Sequence, residues 1–149
     1  MSWTSLLANR TVQSHTTSVR EINDLRDLIA RDLRVAAIAG LSDDRKFATA
    51  YTAVLQLSKM AIACAGYRVP FGAGHHQKTF EAVKMALNSS EAETFADYFD
   101  ICRRKRNNVD YEGADIVTET ESDELLQKAK EFRSLIEDWI VREHPAYKP

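Results

Sequence analysis

The chain has 149 residues, 44% hydrophobic and 28% charged, enough apolar matter for one packed core and too much for a disordered chain. Its 20 basic and 22 acidic residues leave a net charge of −2, so no global basic excess draws it to nucleic acid or an anionic membrane, and any RNA contact must come from a local patch. Two cysteines, Cys64 and Cys102, fall inside helical patterns without a CxxC neighbour, which speaks against a disulfide framework and for a reducing, cytoplasmic setting.

Residues 1–17 are polar and rich in Ser and Thr, and read as a flexible arm or a short docking helix, with no sustained apolar stretch of the signal-peptide kind. Residues 18–145 read as the domain proper. Ser18 is a candidate N-cap, after which Ile22, Leu25, Ile29, Leu33 and Ala36 recur at helical spacing until Gly40. Ser42 caps the next helix, and Asp43 and Asp44 suit its positive end. This second helix is dense in alanine (Ala48, Ala50, Ala53, Ala61, Ala63, Ala65), so neighbours can approach closely and a central position is expected. The stretch Phe47 to Tyr67 is the most apolar, but Gln56 and Lys59 make a buried core helix a better reading than a membrane span.

Pro70, Gly72 and Gly74 mark a loop, and a third helix runs from about His75 to Leu87 with Phe80, Val83 and Leu87 inward. A fourth begins near Glu91 and carries Phe95, Phe99 and Cys102 into the basic run Arg103-Arg104-Lys105-Arg106. Thr118 and Glu121 form a capping box for the last helix, where Leu125, Ala129, Phe132, Ile136 and Trp139 make the inner stripe until Pro145. No strand-like alternation, repeat or interdomain linker is visible. The fold expected is all-α, an antiparallel up-and-down bundle of about five helices.

The segment from Arg103 to Tyr111 carries the candidate chemistry. A solvated basic helix end accounts for Arg104 and Lys105, because cations suit the negative end of a helix. It does not account for Arg106, which shares a stripe with Phe95, Phe99 and Cys102 and so faces the core. An inward arginine is costly unless paired, and Asp110 lies one turn on. Arg103, Arg106, Asn107 and Asp110 thus form one polar face. Such a face either fixes helix register or a dimer contact, or grips phosphate through the planar fork of arginine; periodicity alone favours the structural use.

Three segments together resemble the HEPN family (higher eukaryotes and prokaryotes nucleotide-binding domains). They are the alanine-rich helix ending Gly66-Tyr67-Arg68, the following Gly74-His75-His76, and Arg106-Asn107 with Tyr111. The resemblance implies a HEPN-like helical bundle, often dimeric, and no cofactor or metal. Many members are metal-independent endoribonucleases in which an arginine and polar residue are followed by a histidine, two such motifs meeting across a dimer. Arg106 and Asn107 match the first half; Asp110 and Tyr111 stand where the histidine would be. The resemblance therefore implies an RNA-, nucleotide- or partner-binding module, with Arg103, Arg104 and Arg106 as ligand contacts, a homodimer, and a nucleotidyltransferase-type protein partner in a toxin–antitoxin or defence setting. The alternatives are an active ribonuclease using Arg106 and Asn107 with Asp110 or Tyr111 in place of the histidine, and a purely structural, antitoxin-like dimer.

Adjacent His75 and His76 point about 100° apart on a helix and chelate one metal poorly, so capping and loop packing with neutral rings is the expected role. No HExxH, GxGxxG, GxxxxGK or GxSxG motif is present, and Gly72-Ala73-Gly74 is too short to cradle a phosphate. Trp3 lies in the arm and has no clear place.

Overall fold

The computed structural model describes the backbone of residues 1–112 and 116–149 and the side chains outside 109–115. Among these residues the fold is all-α. Its helices are α1 (Trp3–Ala8), α2 (Val19–Ala36), α3 (Asp43–Cys64), α4 (His75–Leu87), α5 (Ser90–Glu112) and α6 (Glu119–Glu143), followed by a 3-10 turn at Pro145–Tyr147. Five long helices form the bundle and α1 is the short docking helix of the arm.

Local chemistry sets most boundaries. Ser18, Ser42 and Thr118 accept hydrogen bonds from the backbone N–H three residues on, and Thr118 and Glu121 complete the capping box. Asn88 ends α4 in the left-handed region at φ 48°, a conformation asparagine tolerates better than most residues. Gly66 ends α3 at φ +97°, and its carbonyl accepts from the His15 N–H at 2.9 Å. That turn leads into a ladder absent from the sequence reading: β1 (Gln13–Ser14) pairs antiparallel with β2 (Tyr67–Arg68). Two-residue strands are too short to leave an alternating pattern.

The ladder and α1 tie the arm to the bundle. Leu6 and Val12 are buried in the common core, and Trp3 stacks on Tyr67 with ring centroids 4.0 Å apart.

Helix α3 is the axis of the fold. It packs against α2, α4, α5, α6 and β2. Ala50, Ala53, Ala61 and Ala63 are buried on it, and these small side chains admit neighbours on several sides. By length and composition α3 would also span a membrane, but 67% of its most apolar window is buried inside the bundle. Helix α6 packs chiefly on α3, and only lightly on its chain neighbour α5. Arg26 of α2 donates to both carboxylate oxygens of Glu137 on α6, at 2.9 and 3.0 Å, and to the Tyr147 carbonyl, holding three elements together.

An aromatic cluster of Phe95, Phe99 and Phe132 joins α5 to α6, with Phe99 and Phe132 edge-to-face at 5.0 Å. Phe132 is fully buried. Phe132→Ala should lower the unfolding free energy by about 3–5 kcal/mol, read by urea denaturation with an unchanged slope.

Candidate functional site

Three helices converge on Tyr51, which is completely buried on α3. A phenol in that position needs a partner for its hydroxyl. The partner is His76 in the first turn of α4, whose Nδ1 lies 3.1 Å from the Tyr51 hydroxyl. From α5, the Arg106 guanidinium carbon sits 5.5 Å from the centre of the Tyr51 ring, a cation–π arrangement. Arg106 is half-buried, as its place on the Phe95–Phe99–Cys102 stripe implies.

The electrostatics of this trio are one-sided. Burial lowers the pKa of His76, and the cations of Arg106 and Arg103, with neighbouring His75, lower it further. His76 is therefore neutral at pH 7, and its imidazole keeps one nitrogen able to accept a proton. Burial pushes the Tyr51 phenol far above its ordinary range despite the same arginines, so its hydroxyl keeps its proton.

The rest of the basic run is largely engaged. Arg103 Nε donates to Asp100 at 2.8 Å, and Arg104 reaches the other Asp100 oxygen at 3.5 Å. The Arg103 hydrogen bond, with help from Arg104, holds the Asp100 carboxyl below its ordinary pKa. Lys105 lies 3.4 Å from Glu121 of α6. Of the residues singled out from sequence, Arg103, Arg106 and Asn107 are half-buried along α5 and Arg104 is exposed. The side chains of Asp110 and Tyr111 lie outside the described residues, and the expected pairing of Arg106 with Asp110 falls there too.

Two residues central to this geometry were missed or underrated in the sequence. Tyr51 stands in the alanine-rich helix, where a tyrosine among Phe47, Ala50 and Val54 has to satisfy its hydroxyl in the interior. His76 was read as a capping residue. Its neighbour His75 does play the packing role: Nδ1 is 3.0 Å from the Pro70 carbonyl and the ring stacks on Phe71. His15 and Glu21 are joined at 2.7 Å, and His144 packs on Trp139. No cluster of three or more His, Cys, Asp or Glu suited to a metal occurs among the described residues. Cys64 and Cys102 are buried free thiols whose pKa values burial raises to about 11, so they are poor nucleophiles.

Titration of the His76 imidazole followed by NMR should give a midpoint below the ordinary value of about 6.5. Arg106→Gln should move it upward, because a cation that opposes protonation has gone. A midpoint at or above the ordinary value, or one blind to Arg106, contradicts this geometry. Linkage adds a stability effect. His76 and His144 bind protons more weakly folded than unfolded, so stability should fall as pH drops below about 6.5 toward their folded pKa values. Urea unfolding at neutral and mildly acidic pH measures it.

Searches against protein-family models, curated proteins and solved structures found no match for this chain.

Proposed function

We propose that this chain is a HEPN-like module that binds RNA or a nucleotide by its phosphate, with Arg106 as the principal contact and Arg103, Arg104 and Asn107 beside it. The observation that carries the reading is the Arg106 guanidinium seated over Tyr51, whose hydroxyl is tied to His76. The guanidinium offers a planar fork of donors whose geometry matches the oxygens of a phosphate. The partly desolvated position strengthens such a contact relative to a surface lysine. In this reading the chain works in the cytoplasm as a homodimer, with α5 near the contact, beside a nucleotidyltransferase-type partner in a toxin–antitoxin or defence role. A purely structural dimer has less in its favour, because Lys105–Glu121 already ties α5 to α6 while Arg103–Asp100 is satisfied within α5.

One observation favours a second reading, metal-independent RNA cleavage. The α5 segment lacks a histidine, but His76 of α4 contacts Tyr51, the ring that Arg106 covers. If Nδ1 of His76 carries the proton and donates to the Tyr51 oxygen, Nε2 is left as a base for a ribose 2′-hydroxyl, while Arg106 holds the phosphate. Asp110 and Tyr111 are then not required as substitutes.

Fluorescence anisotropy with a labelled oligoribonucleotide tests the first reading. Binding should weaken with rising salt, and Arg106→Ala should reduce affinity about tenfold or more while the protein stays folded at the assay temperature, with the thermal midpoint lowered by the loss of the cation–π contact. Arg106→Lys should restore only part of it, since charge returns without the fork. Equal affinity in all three proteins contradicts the proposal. Incubation of the same RNA with wild type and His76→Gln separates the readings: cleavage lost in the variant supports the enzyme, and intact RNA with both leaves binding alone.

A further inference from the structure

A cavity of about 330 Å³ opens between α2, α3, β2 and the start of α4, with His76 among its lining residues. Apart from His76 on its rim, the phosphate-binding reading uses none of its lining residues. Its floor is apolar, with Leu55, Ile62 and Val69 from α3 and the segment after β2. Its walls are flat aromatic surfaces. Tyr67 is backed by Trp3, and His75 is covered by Phe71 at 4.9 Å and 8° between ring planes.

Phe71 is the anomaly. It is 91% exposed, on a segment punctuated by Gly72 and Gly74, and yet it lines the cavity. A phenylalanine left this open forgoes about 1.5–3 kcal/mol of burial, which a planar occupant under its ring would recover.

The charge is equally specific. The cavity holds two cations, Lys59 and Arg68, against one carboxylate, Glu21. Burial alone would raise the pKa of Glu21, but hydrogen bonds from His15 and Thr17 outweigh that and keep it ionised. Arg68 spends its hydrogen bonds on the neutral amide of Gln13, so its charge is not cancelled. The cavity also meets the first turn of α4, where Gly74 supplies no side-chain cap and the helix start is positive. The net surplus is one positive charge.

We propose that this cavity is a binding site for a small planar aromatic ring bearing a single anionic group. The ring lies against the Phe71–His75 shelf and the apolar floor, and the anion meets Lys59 and Arg68. The volume suits a two-ring ligand. His76 lines this cavity as well as contacting Tyr51, so the two sites adjoin, but Lys59 and Arg68, which would hold the anion, play no part in the phosphate-binding reading.

The test is a titration with 2-naphthoate, and in parallel with its uncharged counterpart 2-naphthylmethanol, followed by Trp3 fluorescence and the His75 imidazole signals. Naphthoate should bind saturably, and the alcohol about tenfold more weakly. Combined Lys59→Gln and Arg68→Gln should bring naphthoate down to the level of the alcohol. Phe71→Ala should weaken both ligands by about threefold to tenfold. All three side chains are exposed, so the variants should keep the wild-type melting temperature. Absence of saturable binding up to the solubility limit, equal affinity for acid and alcohol, or indifference to these substitutions would each overturn the assignment. Loss of RNA binding in Arg106→Ala with naphthoate binding intact would show that the two sites stand or fall separately.

Discussion

A tyrosine hydroxyl sealed inside an all-helical core is the constraint from which the rest of this structure can be read. Tyr51 sits on the one helix that touches nearly every other, and its phenol cannot be left without a hydrogen bond at a cost of about 1–3 kcal/mol. Satisfying it brings the first turn of α4 inward and places His76 at Nδ1 contact. A face of the same ring then receives Arg106 from α5. Three helices are thereby indexed to one another by a single side chain. The polar groups so collected carry chemistry that the surrounding apolar packing has no need of.

The basic run on α5 shows why net composition is a poor guide to where charge acts. Four consecutive cations suggest a broad positive patch, yet Asp100 and Glu121 engage three of them. Such exposed or half-exposed pairs contribute about 0–1 kcal/mol each and exchange readily with a ligand's oxygens. Arg106 differs in kind. Its guanidinium lies over an aromatic face in a partly desolvated position, and the imidazole beyond that ring is kept neutral first by burial and then by this cation. Geometry, not the number of charges, makes the local site.

Much of the architecture was legible in the sequence because it follows from local rules. Ser18, Ser42 and the Thr118–Glu121 box announced helix starts, and the stripes of α2 and α6 announced their buried faces. The alanine content of α3 foretold its central place. The inward aim of Arg106 also followed from periodicity. What escaped was every contact between residues far apart in the chain: the pairing of Gln13–Ser14 with Tyr67–Arg68, the return of α6 to α3 past α5, and the meeting of Tyr51, His76 and Arg106. Helical spacing reports which way a side chain faces and not what it meets. Tyr51 was the one available signal, since a polar-tipped ring on an otherwise apolar stripe demands a partner from another element.

The most direct measurement of the central claim is chemical-shift mapping of the whole protein with a short uridine-rich oligoribonucleotide at low and moderate salt. The account predicts saturable shifts confined to Tyr51, His76 and the Arg103–Asn107 face, shrinking as salt rises. Shifts scattered over the surface, or centred on a face remote from Arg106, would contradict it.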